Sequence, residues 1–222
     1  MTAHCDAQLS MLRGKVRVLA VLDAGVESGL SPFPGDLIHA LTYLVDALAP
    51  LEEVPLLNAD LIKRRHRPFF PDIQDAIDSL VGAGIITVES FGYTPDQAPR
   101  DGWRLSATYA LNRAAAAVIL NRVGTMPRMG PLLVFSREVV FAFAGMGRTD
   151  IGSIGDIDAA YSSDHVRFGD VIELAEKGAR MNPTASVATR FSAFFGSPDE
   201  RIDPVQLVHL YARHLYSWSE VA

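Results

Sequence analysis

Apolar side chains recur along this chain at two spacings, and the switch between them marks out its elements. From Gln8 to Val26, Leu9, Leu12, Val16, Leu19, Leu22 and Val26 stand three or four residues apart, the interval that lines up side chains on one helical face. Glu27–Gly35, with two prolines and two glycines, reads as a loop. Asp36–Leu48 resumes the helical spacing through Leu37, Leu41, Leu44 and Leu48, widened by Ile38 and Val45, and Pro50 stops it. A third run starts at Pro71, whose missing N–H is tolerated in a first turn. It places Ile73, Ala76, Ile77, Leu80 and Val81 on one face, and Gly82 and Gly84 offer the left-handed geometry that ends helices. The spacing then shortens: Ile85–Phe91 reads as a strand, Tyr93–Asp101 as a polar loop, and Trp103 and Leu105 as a return strand.

The rest of the chain reads as helix. Ala107–Val123 is rich in alanine and predicts a helix with Leu111, Ala114, Ala115, Val118 and Ile119 on one side. Ser136 is placed to cap a helix over Arg137–Ala144, and Gly169–Ala179 predicts another. Asn182-Pro183 and Asp203-Pro204 are cap-plus-proline start signals. They open one helix with Val187, Ala188, Phe191, Phe194 and Phe195 inside, and a last one with Val205, Val208, Tyr211, Leu215 and Trp218 inside. Leu51–Phe70 is too long for the turn of a strict helix-turn-helix. Asn58 is placed to cap a short inserted helix over Ala59–Arg65. The expected fold is therefore mainly α. A winged-helix N-terminal part with a small β-hairpin wing (1–123) is followed by a helical C-terminal part (131–222), with Gly124–Pro131 as the boundary.

Composition narrows the function classes. Hydrophobic residues are 49% and charged residues 21% of 222, ordinary globular usage. Residues 1–123 hold 11 basic and 14 acidic side chains and residues 124–222 hold 9 and 12, so each half carries −3. Neither half offers the bulk positive charge that draws a polyphosphate. The lone cysteine, Cys5, cannot form an internal disulfide, and no leader-like or membrane-spanning apolar run stands out. The expectation is a cytoplasmic protein with no membrane contact.

Candidate chemistry is sparse. Lys63-Arg64-Arg65-His66-Arg67 places four fixed positive charges in five residues, just ahead of the Pro71 helix. That helix carries Asp72, Asp75 and Asp78 on its polar side, and only Gln74 suits a base edge. The cluster reads either as a solvated loop or as a partner of those aspartates, with duplex contact the rival reading. The glycine-rich Gly145–Asp156 segment lacks the Gly-Lys-Ser/Thr ending of a phosphate loop and reads as a helix connection. The six histidines include no i, i+4 pair, and no metal-ligand spacing or serine elbow is present. Asp156 with Asp158, and Glu173 with Glu176, are carboxylate pairs that nothing marks as acid and base. The reading excludes a cofactor and a catalytic site. The candidate contact residues are Lys63, Arg64, Arg65, Arg67 and Gln74, toward a protein partner or, weakly, nucleic acid.

Arg65–Val88, with its Arg67-Pro68-Phe69-Phe70-Pro71 approach, acidic-apolar helix and Gly-Ile-Ile strand, resembles the small winged-helix subunits of prokaryotic defence operons. The middle component of ABC-three-component systems, related to Lamassu-type anti-phage systems, is the class it resembles most, and Panacea-type antitoxins share the outline. The resemblance implies a non-catalytic adaptor subunit linking an SMC-like ATPase to an effector. A DNA-binding transcription regulator or antitoxin is the alternative.

Overall fold

A computed structural model of the protein describes residues 2–64, 67–95, 103–175, 181–195 and 202–219. Eight helices and five strands follow one another within them. The order is α1 (Thr2–Glu27), β1 (Phe33–Pro34), α2 (Gly35–Leu48), β2 (Asp60–Ile62), α3 (Pro71–Gly82), β3 (Ile86–Pro95), β4 (Trp103–Leu111), α4 (Arg113–Gly124), α5 (Gly130–Ala144), α6 (Arg148–Gly152), β5 (Val171–Glu173), α7 (Pro183–Phe195) and α8 (Pro204–Ser219). The protein is mainly helical, as expected.

Helix α2 is the axis. Every residue from Leu37 to Leu48 is buried, so the leucine seam visible in the sequence is only part of a helix covered on all sides. Helix α1 packs on α3 and α5, and α8 packs on α5 and α7. One buried apolar cluster runs from Val18 through Leu44, Ile77 and Val139 to Tyr211 and Leu215. It therefore crosses the expected boundary at 124–131, which is a short connection between α4 and α5.

Two small sheets complete the fold. Antiparallel β3 and β4 form a hairpin whose register slips between Val88 and Ser90, and β1 adds to the far side of β4. The strand β3 is thus an edge. At the end of α3, Gly84 takes a positive φ of 69°, and Ile85 N–H reaches back to the Leu80 carbonyl at 3.0 Å. The second sheet joins β2 to β5 across more than a hundred residues, Leu61 opposite Ile172.

Several expectations are corrected. The capped helix expected over 59–65 is absent from residues 59–64, where Asp60–Ile62 is strand β2, and the helix expected over 169–179 gives way to strand β5 at Val171–Glu173, residues 176–179 lying outside the described ones. Each is a three-residue piece alternating exposed, buried, exposed, and it is pairing with a distant partner that stabilises it. The alanine-rich helix begins at Arg113 rather than Ala107, because residues up to Leu111 pair with β3. Asn112 caps it, accepting from Ala115 N–H at 3.3 Å. Its expected apolar face also differs: Ala116 and Val123 are buried, while Val118 is exposed. Helix α5 begins at Gly130 with Pro131 in its first turn. Ser136 lies inside it, its hydroxyl bonded to the Leu132 carbonyl at 2.7 Å. Phe194 and Trp218, expected inside, are exposed. The two cap-plus-proline signals stand as read: Asn182 accepts from Ala185 N–H at 2.9 Å and Asp203 from Val205 N–H at 2.8 Å.

Candidate partner-binding face

The residues ahead of α3 do not form one positive surface. Lys63 is buried: its ammonium donates to the carbonyls of Ser163 at 3.0 Å and Val166 at 2.8 Å, with the Phe168 ring 5.8 Å away. Its backbone is tied to the same segment, Lys63 N–H to Asp170 O and Gly169 N–H to Lys63 O. Arg64 is exposed and lays its guanidinium over Phe69, 4.3 Å from the ring centre, a cation–π arrangement. Arg67 pairs with Asp36 in the first turn of α2 rather than with the aspartates of α3. Arg65 lies outside the described residues. The solvated-loop reading is thus corrected for Lys63 and the aspartate-pairing reading for Arg67. A lysine stem and a backbone this tightly hydrogen-bonded cannot swing toward a phosphate.

Gln74 is turned inward as well. Its carbonyl oxygen faces His39 Nε2 at 3.3 Å and its amide donates to Asp78 at 2.9 Å. His39 is buried under Phe69, ring centres 4.6 Å apart, and its Nδ1 accepts from Phe70 N–H at 3.4 Å. That pattern needs a neutral ring with its proton on Nε2. Burial lowers the imidazole pKa to about 4, the Arg64 charge acts in the same direction, and the Gln74 bond opposes it. The charged residues that α3 leaves exposed are Asp72, Asp75 and Asp78, the acidic stripe expected from the sequence. The edge strand β3 exposes Phe91 at 71% and Tyr93 at 64%, two residues apart and so on one face of the ribbon.

Two buried polar groups position this face. Tyr161 sets its shape: the phenol accepts from Arg64 N–H at 2.9 Å and donates toward the carbonyls of Arg64 at 2.8 Å and Arg67 at 2.7 Å. Asp158 in turn fixes Tyr161. Its carboxyl group takes the N–H groups of Ala160 and Tyr161 at 3.0 and 3.1 Å, and the hydroxyls of Tyr43, Thr184 and Tyr211. Those residues belong to α2, α7 and α8. Burial, then the neighbouring Asp158 charge, pushes the Tyr43 and Tyr211 hydroxyls far above their usual range, so both stay protonated and donate to Asp158, while Tyr211 also accepts from Ala159 N–H at 3.1 Å. The sequence offered Asp156 and Asp158 as an unmarked pair. Asp156 is exposed, and Asp158 is the centre of the buried network. No local signal distinguishes them, because every side-chain donor on Asp158 lies at least 26 residues away.

Among the described residues no group of three or more histidine, cysteine, aspartate or glutamate side chains is placed to hold a metal ion, and no helix is long and apolar enough to cross a membrane. Compared with known proteins, the chain matches no family model, no curated protein and no solved structure.

Proposed function

We propose that the protein is a non-catalytic winged-helix adaptor that grips another polypeptide through the outer face of α3 and the β3 ribbon. Over α1 to β4 the order is helix, strand, helix, strand, helix, strand, strand; with β2 taken as an insertion that pairs with β5, this order and the three-stranded β1-β4-β3 sheet support the winged-helix reading, in which α3 would stand as the recognition helix. The observation that carries the function is the charge of that helix. Asp72, Asp75 and Asp78 face solvent, while Lys63, Arg67 and Gln74 are engaged within the protein. A phosphate backbone would meet carboxylates there, and a partner with a basic, partly apolar surface would find both charge and the Phe91–Tyr93 edge. An SMC-like ATPase and an effector, the partners that the sequence resemblance implies, are the proposed occupants. Contact with nucleic acid through Arg64 is the second reading, favoured by one exposed arginine stacked on an aromatic ring.

Affinity purification of the tagged chain from its own cells tests the proposal. The expected result is a stable co-purifying protein that is lost from the Asp72→Lys/Asp75→Lys/Asp78→Lys variant, whose circular dichroism is unchanged. Fluorescence anisotropy with a labelled duplex, at about 50 and 200 mM salt where phosphate-driven binding falls steeply, tests the rival. Tight binding that weakens with salt and disappears in Arg64→Ala would overturn the adaptor reading.

A further inference from the structure

The face of the β3–β4 hairpin that is core at its base runs out into solvent. At the base, Ile86 stands opposite Leu111 and Val88 opposite Tyr109, and Ile86 and Tyr109 are buried. The pairing then skips Glu89, as the register shifts between Val88 and Ser90. A regular ladder would carry Ser90 and Gly92 onto the Val88 face. The bulge instead sets Phe91 opposite Ala107 and Tyr93 opposite Leu105. Opposed residues share a face, so apolar positions line one side of the ribbon as far as Pro95 opposite Trp103, and Ser90, Gly92, Ser106 and Thr108 line the other. The polar side is closed on itself: Ser90 Oγ lies 2.6 Å from Thr108 Oγ1, and Ser106 Oγ donates to Gly92 O at 3.3 Å. The apolar side is open, its exposure rising from 1% at Ile86 through 44% at Val88 to 71% at Phe91 and 64% at Tyr93.

From this we infer that the apolar face is where a second copy of the chain docks, ribbon against ribbon about a two-fold axis. A second copy suits the face in charge. No charged residue stands on it from Ile86 to Pro95 or from Trp103 to Leu111, so two chains of net charge −6 meet there without burying a carboxylate. It also suits the face in area. At about 200 Å² for a whole aromatic side chain, the exposed parts of Phe91 and Tyr93 come to about 270 Å² per copy and about 540 Å² for the pair. Val88 and the outer positions raise that toward the roughly 1,200 Å² at which stable interfaces begin, so the pairing is a reversible one. Like faces packed about a two-fold form a closed pair. Strand addition at the outer edge of β3 is disfavoured by the bulge and by Glu89, the devices that blunt edge strands. In the adaptor reading the same two aromatics meet the partner, so a second copy holds them until the partner displaces it; the pairing itself does not depend on that reading.

Sedimentation equilibrium on the purified full chain tests the pairing. The apparent mass is expected to rise from the 24.1 kDa monomer toward twice that value, with a midpoint of about 10–100 μM, in keeping with an interface below the standard size. Phe91→Ser/Tyr93→Ser is expected to weaken association by about tenfold or more with unchanged circular dichroism, since both side chains are exposed. Phe194→Ser, which removes an exposed aromatic from α7, should associate as wild type does. Raising NaCl from about 50 to 500 mM should leave association unchanged or tighter, because screening relieves the repulsion between like-charged chains. A wild type still monomeric at about 1 mM, association that survives Phe91→Ser/Tyr93→Ser or is lost in Phe194→Ser, or association that weakens with salt would overturn the inference. So would slower hydrogen exchange of β3 amides on concentration, the sign of strand addition at the edge. The measurement uses this chain alone, so its failure leaves the adaptor proposal standing, and absence of a co-purifying protein leaves the pairing standing.

Discussion

Arg17 and Asp46 form an ion pair at 3.1 Å with side chains 1% and 0% exposed, and the pair offers a sharp test of how this core is held. Burial is the largest influence on each group, pushing the guanidinium down and the carboxyl up, and pairing opposes both. The two partners are unequally supported. Asp46 also accepts from Leu57 N–H, Asn58 N–H and the Asn58 amide at 3.0 to 3.3 Å. Arg17 has only the Pro55 carbonyl at 3.3 Å besides, and its Nε and Nη1 find no acceptor among the described residues. Removing one member of a buried pair strands the other charge at a cost of about 3–5 kcal/mol. Arg17→Met is expected at the low end of that range, since three donors remain for Asp46, and Asp46→Leu at the high end. The double variant strands no charge. It leaves only the half-buried Leu57 and Asn58 donors to find water, for about 1–2 kcal/mol. Urea unfolding at pH 7 with a common m-value measures all four proteins. The expected order of stability is wild type, double variant, Arg17→Met, Asp46→Leu. Additive losses, with the double variant least stable of all, would refute the reasoning.

Four further outcomes follow from buried positions. His39 is neutral when folded, at about 4 against 6.5 for a free imidazole. The unfolded chain therefore binds more protons between those values, and stability falls on acidification from about pH 6.5 toward 4, by up to about 1.4 kcal/mol per pH unit. The slope of stability against pH should be shallower in His39→Gln, and equal slopes would sink the assignment. Asp158→Asn can keep its oxygen for the Ala160 and Tyr161 N–H groups but turns an amide NH2 toward the Thr184 and Tyr211 hydroxyls, which natively donate to the other carboxylate oxygen; thermal unfolding should show a loss of about 2–3 kcal/mol. Thr184→Val, which removes one of several donors, should cost about 1 kcal/mol in the same assay. Gly25→Ala would put a Cβ 2.5 Å from the ring of fully buried Phe33, an overpacking cost of about 1–3 kcal/mol that Phe33→Leu should largely relieve in urea unfolding.

What the sequence made legible is what local periodicity and capping encode. Helices α1, α2, α3, α7 and α8 announced themselves because apolar spacing and Asn-Pro or Asp-Pro starts are written within a few residues. The same logic misled at Ala107–Leu111. Alanine and leucine favour a helix, yet hydrogen bonding to β3 and burial of Tyr109 decide the conformation, a tertiary override of a weak propensity. Strands β2 and β5 were illegible for a stronger reason. Three residues carry no period, and their only stabilising partner lies more than a hundred positions away.

The same separation explains why the basic cluster looked like a site and Asp158 did not. Charge in a row is visible in one dimension, but whether a lysine is a probe or a pin depends on what stands across from it. For Lys63 the answer is two carbonyls about a hundred residues later. With Lys63 buried and Arg67 paired to Asp36, α3 presents its carboxylates to solvent, and among the described residues of the basic cluster Arg64 is the exposed one. In the proposed reading, the three carboxylates of α3 would oppose a phosphate backbone across a Debye length, about 8–10 Å, before any side chain reaches a base. Reversing the three aspartates to lysine should therefore change the sign of the face without disturbing Ile73, Ala76, Ile77 or Leu80, which are buried on the opposite side. Such a variant that gains salt-sensitive duplex binding in the anisotropy assay, while unfolding at the wild-type urea midpoint, would show that charge alone keeps nucleic acid off the α3 face. A variant that gains none would locate the barrier in shape instead.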